Sequence, residues 1–173
     1  MGNTDNWIRA KANGDIGEAV VKNVLEEMYE GCQVEQLPYE IWGKKADFRL
    51  TFENGKERYI EVKTDSKIHM TNNIYIEEFN RNKGWIYNDY QWIFEVDLFN
   101  HCIYILRFDK LKNMYQCCGS YIEKFNEAEG CTHCGYVCPI AELIDWEVIT
   151  YKIELDETNH YKEKIKLGGE IAC

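Results

Sequence analysis

Proline is almost missing from this chain, with two in 173 residues, and neither a repeat nor a low-complexity tract compensates. With 14% aromatic residues, that scarcity excludes a proline-rich linker or a disordered segment and argues for a packed core. Long apolar runs are lacking too. The N-terminus has no charged region leading into an apolar one, so neither a membrane span nor a signal peptide is expected, and the expected location is cytoplasmic. A positive excess is also absent: 20 Lys and Arg stand against 30 Asp and Glu, a net charge of −10. Such a field does not favour indiscriminate nucleic-acid binding. The deficit is uneven, because Arg107 is the last arginine and the acidity deepens beyond it.

Cysteine, by contrast, is plentiful. Eight occur, and Cys117, Cys118, Cys131, Cys134 and Cys138 fall in one short window. Without a secretion signal, this pattern points to thiols and metal ligation rather than to a disulfide framework. Cys32 and Cys102 sit at strand positions and read as small buried hydrophobes.

Periodicity gives a coarse layout. Residues 1–14 read as a polar lead-in. Asp15 and Glu18 form a capping box, and Val20, Val21, Val24, Leu25 and Met28 repeat with helical spacing, predicting a helix from about Ile16 to Glu30. Strands are expected at Cys32–Leu37, Asn73–Phe79 and Trp146–Leu155, and a hairpin at 90–108. The tail beyond Asp156 reads as charged and mobile. A helix followed by a run of strands gives an α/β class with a central mixed sheet flanked by helices.

The most informative stretch is Asp47 to Lys63. In an antiparallel pair, opposed residues share a face, and a one-residue slip reverses the faces. A two-residue turn at Asn54-Gly55 would set Asp47 against Val62 and mix polar with apolar. A three-residue loop, Glu53-Asn54-Gly55, sets Asp47 against Glu61 and Phe48 against Ile60. One face then carries Phe48, Leu50, Phe52, Ile60 and Val62, and the other Asp47, Arg49, Glu61 and Lys63.

Two carboxylates meeting across a hairpin suit a hard divalent cation such as Mg²⁺ or Mn²⁺. A lysine two residues along can orient an attacking water and offset developing charge. Alternating charges on an exposed strand face produce the same pattern without any chemistry.

Glu18 on a helix, then Asp47, then Glu61-Val62-Lys63, resembles the PD-(D/E)XK nuclease superfamily, and the stretch Gly14 to Glu18 resembles its Holliday-junction-resolvase branch. Ala46 stands where many members have proline. The resemblance spans roughly residues 14–80. It implies a restriction-endonuclease-like fold and Mg²⁺-dependent cleavage of DNA rather than RNA, leaving a 5′-phosphate, often by a dimer. Carried over by position, Asp47, Glu61 and the Val62 carbonyl would hold metal. Lys63 would hold the attacking water, and Glu18 would assist from the helix unless it serves only as a cap. Lys44, Lys45 and Arg49 are candidate phosphate contacts.

In the cysteine window, Cys118, Cys131, Cys134 and Cys138 form a candidate structural Zn²⁺ site, with Cys117 able to replace Cys118. The rival reading is an iron–sulfur cluster whose upstream cysteine is Cys32. The expectation is therefore one nuclease-like domain over residues 1–173, with a cysteine-rich metal-binding insertion at 113–140. The alternative is a non-catalytic module on the same fold that binds nucleic acid or protein.

Overall fold

The structure, a computed structural model, describes residues 3–38, 46–80, 82–126 and 131–167. Helix α1 (Asn3–Met28) opens the chain. It is followed by β1 (Gln33–Gln36), β2 (Phe48–Thr51), β3 (Glu57–Thr64), a short α2 (Ile68–Thr71), β4 (Asn73–Asn80) and β5 (Asn82–Lys83). A 3-10 turn, Trp85–Tyr87, leads to β6 (Trp92–Asp97), β7 (Cys102–Arg107) and α3 (Phe108–Cys118). Then come β8 (Ser120–Asn126), β9 (Cys131–Pro139), α4 (Ile140–Asp145), β10 (Ile149–Leu155) and β11 (Tyr161–Lys166).

These strands form two sheets, and the fold is mixed α/β. The larger sheet runs β1-β2-β3-β6-β7-β10-β11, with β3 and β6 parallel and every other neighbour antiparallel. The smaller runs β5-β4-β9-β8 and is antiparallel throughout. Among the described residues no helix is long and apolar enough to cross a membrane.

Each face of the larger sheet buries its own core. On one face, Val20, Val21, Val24 and Leu25 of α1 pack against Phe48, Leu50, Ile60, Val62, Phe94 and Val96. On the other, Ile93 and Leu106 join Tyr90, Phe108 and Leu111, together with Ile74 and Ile76 from the smaller sheet. A strand covered on both sides has no solvent face to receive its polar residues. In β3 this buries Ile60, Glu61 and Val62 in succession.

Two expectations are corrected here. Helix α1 begins at Asn3, so Asp15 lies inside it and makes an i, i+4 ion pair with Lys11 at 2.7 Å. The capping box is therefore not formed. Residues 3–14 contain no proline, and Gly14 costs the helix only about 1 kcal/mol, too little to stop it. The helix ends at Met28, close to the expected Glu30, and Gly31 just beyond it takes φ +84°. The second correction concerns the tail, which forms β11 on the edge of β10. Alternation of Tyr161, Glu163 and Ile165 with lysines is that of an edge strand carrying charge on its open side.

At Gly17, α1 approaches β3 so closely that a Cβ there would lie 2.0 Å from Thr64 Oγ1, whereas one at Gly14 would meet nothing within 4 Å. Gly14→Ala should therefore raise stability by roughly 0.4–1 kcal/mol, as helix propensity dictates. Gly17→Ala should lower it by roughly 1–3 kcal/mol despite the same propensity gain. Thermal melts of the two variants check this. Equal stabilisation by both would mean that α1 does not seat against Thr64.

Candidate active site

The hairpin adopts the three-residue loop. Phe48 opposes Ile60, Leu50 opposes Arg58, and Phe52 N–H donates to the Lys56 carbonyl at 2.9 Å. Gly55 takes φ +77°, which suits a residue without a Cβ, and donates to the Phe52 carbonyl at 2.8 Å. Asn54 Oδ1 accepts from Lys56 N–H and closes the turn.

With that register, Asp47, Glu61 and Lys63 share the face turned away from α1. Asp47 is 2% exposed and Glu61 6%. Asp47 Oδ2 accepts from the Val62 backbone N–H at 2.7 Å, so the first acid is anchored to the strand that bears the second. Lys63 Nζ lies 2.6 Å from Glu61 Oε1 and 5.9 Å from the centre of the Trp85 ring. Burial opposes the lysine's charge, but Glu61, Asp47 and Glu95 outweigh it, and its pKa is raised above the ordinary value.

Two residues that the sequence reading passed over complete this face. Tyr90 is buried beside Glu61, and its hydroxyl accepts from Asn88 Nδ2 at 2.5 Å. Burial first, then the neighbouring Glu61 and Asp47, hold its phenol far above its usual range, so it stays protonated beside Glu61. Glu95 lies next to Lys63 across the parallel β3–β6 pair and is 2% exposed. Burial raises its pKa to about 8, Asp65 adds to the effect, and Lys63 opposes it. Its Oε2 is buried and makes no hydrogen bond among the described residues. The signal for Glu95 was present as a carboxylate in the otherwise apolar run Trp92 to Val96. Tyr90 had none, because its approach to Glu61 depends on the β3–β6 pairing.

Glu18 lies on α1. It is half-buried and accepts from Gln36 Nε2 at 3.0 Å, and Gln36 is paired with Phe48, next in sequence to Asp47. Since the helix starts fifteen residues earlier than Glu18, the cap that would explain this carboxylate is not made. Arg49 bonds Glu35 through Nε at 3.0 Å and Glu57 through Nη1 at 3.4 Å, so two carboxylates already meet its charge. Lys44 and Lys45 lie outside the described residues.

A divalent cation fits the donors present. Asp47 and Glu61 bring hard oxygen ligands from adjoining strands, and Mg²⁺ commonly takes only one or two carboxylates and keeps its waters. Two buried acids against one lysine also leave an excess of negative charge that a cation would offset. Among the described residues no group of three or more His, Cys, Asp or Glu side chains converges as a metal site.

The cysteine window folds otherwise than a zinc knuckle. Cys131 to Pro139 is one extended strand, with no turn between Cys131 and Cys134. Cys134 and Cys138 are four strand residues apart, about 13 Å, with Tyr136 between them on the same face. A tetrahedral zinc holds its sulfurs at about 2.3 Å and does not span that distance. Cys138 instead lies beside Cys118 in the core, and both thiols point at the Tyr115 carbonyl, at 3.6 and 3.9 Å. Burial pushes both thiols up, as expected of uncharged core groups. Cys117 is exposed, and the side chain of Cys131 lies outside the described residues. Cys32 packs on the α1 face, across the larger sheet from Cys118 and Cys138, so it does not join them. Glu77, on β4, belongs to the smaller sheet, where its carboxylate meets His133 Nδ1 at 3.2 Å.

The raised Glu95 carboxyl has a consequence for stability. A folded-state value above the unfolded one means that its contribution is fully present below about pH 4.5 and is lost as pH rises through about 8. Glu95→Gln should therefore stabilise the protein at pH 9 relative to wild type, on the order of 2 kcal/mol, with much less difference at pH 5. Denaturant melts at the two pH values measure it. A variant effect independent of pH would show that Glu95 titrates as an ordinary carboxylate.

No protein-family model matches the chain, and no curated protein or solved structure matches it significantly.

Proposed function

We propose that the protein is a divalent-metal-dependent deoxyribonuclease of the PD-(D/E)XK type, built on a restriction-endonuclease-like fold. The observation that carries this reading is the convergence of Asp47, Glu61 and Lys63 on one buried face of the β2–β3 hairpin. A core strand with no chemical task gains little from two buried carboxylates and a lysine, because apolar residues of similar volume are as stable or more so.

In this scheme Asp47 and Glu61, with the Val62 carbonyl, hold the metal ion. The ion, when bound, polarises a phosphoryl oxygen and lowers the pKa of a coordinated water. Lys63, held 2.6 Å from Glu61, would orient the attacking water and offset negative charge developing on the phosphoryl oxygens. The water's oxygen forms the new P–O bond and gives up a proton to solvent, the 3′ oxygen departs with the bonding pair and takes up a proton from solvent, and a 5′-phosphate remains. Tyr90, protonated and buried beside Glu61, is placed to donate to its carboxylate. Glu18, on α1, is bonded to Gln36, whose strand partner Phe48 follows Asp47.

The net charge of −10 and the pairing of Arg49 weaken the grip on a phosphate backbone that cutting needs, which supports a second reading: a non-catalytic module on the same fold that binds nucleic acid or protein. The two readings part on one measurement. Plasmid, linear and four-way-junction DNA are incubated with Mg²⁺ or Mn²⁺ and the wild type, Asp47→Asn or Lys63→Ala. The nuclease reading expects metal-dependent cutting that falls at least about a hundredfold in both variants. Absence of cutting on every substrate, or equal cutting by the variants, leaves the binding module standing.

A further inference from the structure

Beyond the carboxyl ends of the two parallel strands lies a cavity of about 320 Å³. Asn13 of α1, Thr64 to Ser66 following β3, His69 of α2, and Leu98 and Phe99 following β6 line it. In open sheets, the crevice past the carboxyl ends of parallel strands is where ligands settle. Here that crevice begins at Thr64, whose side chain lies on the α1 face of β3, the opposite face to Lys63.

Its outer wall is aromatic and rigid. Phe99 is 70% exposed, yet its ring stacks on His69 at 4.1 Å between centroids and 22° between planes. The loop carrying Phe99 is tied down by the buried Asp97. Its Oδ1 accepts from the Phe99 and Asn100 N–H groups at 3.1 Å each, and its Oδ2 accepts from Asn100 Nδ2 at 2.9 Å. Met70, 66% exposed, lies next in sequence to His69. An exposed aromatic on a pre-ordered loop offers a π-face at small entropic cost, which is the device used to stack unpaired bases.

The polar lining suits the edge of a base. Asn13 and Asp65 bring an amide and a carboxylate, groups that read purine and pyrimidine donors and acceptors. Thr64 Oγ1 and His69 Nδ1 are buried and make no hydrogen bond among the described residues. A polar edge that displaced their cover would gain a hydrogen bond that neither atom now makes.

We infer that this cavity is a nucleobase subsite, in which an unpaired base stacks on Phe99 past the carboxyl ends of β3 and β6 while its strand leads round that end of the sheet to the scissile phosphate at Lys63. The inference rests on the nuclease reading for the position of the phosphate. It adds the substrate class: single-stranded or locally unpaired DNA rather than continuous duplex.

The test uses the full chain with Ca²⁺ in place of Mg²⁺. Fluorescence anisotropy measures its affinity for a short labelled oligodeoxyadenylate and for the matching abasic sugar-phosphate strand. The wild type should bind the base-bearing strand the more tightly. Phe99→Ala should weaken that binding roughly 5- to 100-fold and leave abasic binding unchanged, while Phe99→Trp retains the preference. Phe99 is exposed, so its alanine variant keeps the core, and a thermal melt verifies this. Equal loss on both strands, an unchanged preference in Phe99→Ala, or no binding of either strand overturns the subsite. DNA cutting by a protein with no base preference removes the subsite and spares the nuclease reading. Base preference without cutting does the reverse.

Discussion

The pairing of Phe48 with Ile60 governs this structure, because both faces of β3 are covered and every other residue of the hairpin must follow from that one register. Phe48, Leu50, Ile60 and Val62 can enter the core beneath α1 only if Asp47, Glu61 and Lys63 enter the opposite layer. A one-residue slip would drive two carboxylates and a lysine into the apolar interface with Val21, Val24 and Leu25. The cost of burying unpaired charge there exceeds what any alternative turn could return. The same hydrophobic pattern therefore secures the fold and assembles the candidate site.

Holding that charge out of water needs partners, and the hairpin's charged groups on the second face have them. Asp47 is met by the Val62 N–H, Glu61 by Lys63 and Tyr90. Glu95 departs from this pattern. Placed by the parallel β3–β6 pair beside a lysine already claimed by Glu61, it answers burial with a raised pKa instead of an ion pair. Asp97, one step on, spends its carboxylate on the Phe99 loop. Asp97 thereby orders the loop whose Phe99 forms one wall of the cavity past the strand ends.

The cysteine window shows how a strong local motif yields to strand pairing. Cys131-x-x-Cys134 suits a knuckle when read alone, but β4 and β8 both pair with this segment and hold it extended from end to end. Backbone hydrogen bonds on two sides outweigh a turn that would satisfy only thiols. Cys118 and Cys138 then serve as small core groups under α3 and β9.

Much was legible in the linear order. The helical stripe Val20 to Leu25, the hairpin and its three-residue loop, the Trp92–Asp97 and Cys102–Arg107 pair, and the Ile149–Leu155 strand all follow from periods of 3.6 and 2 that neighbours cannot erase. The start of α1 and the docking of β11 were not legible, since residues 3–14 have no apolar stripe, and an edge strand is defined by the strand it joins. The sequence by itself determined which residues of the hairpin share a face, because alternation and one glycine leave a single register that separates apolar from charged. Tertiary structure alone decided what that face meets. Tyr90, Glu95 and Phe99 arrive through β6, whose parallel pairing with β3 spans a crossover that no local pattern encodes.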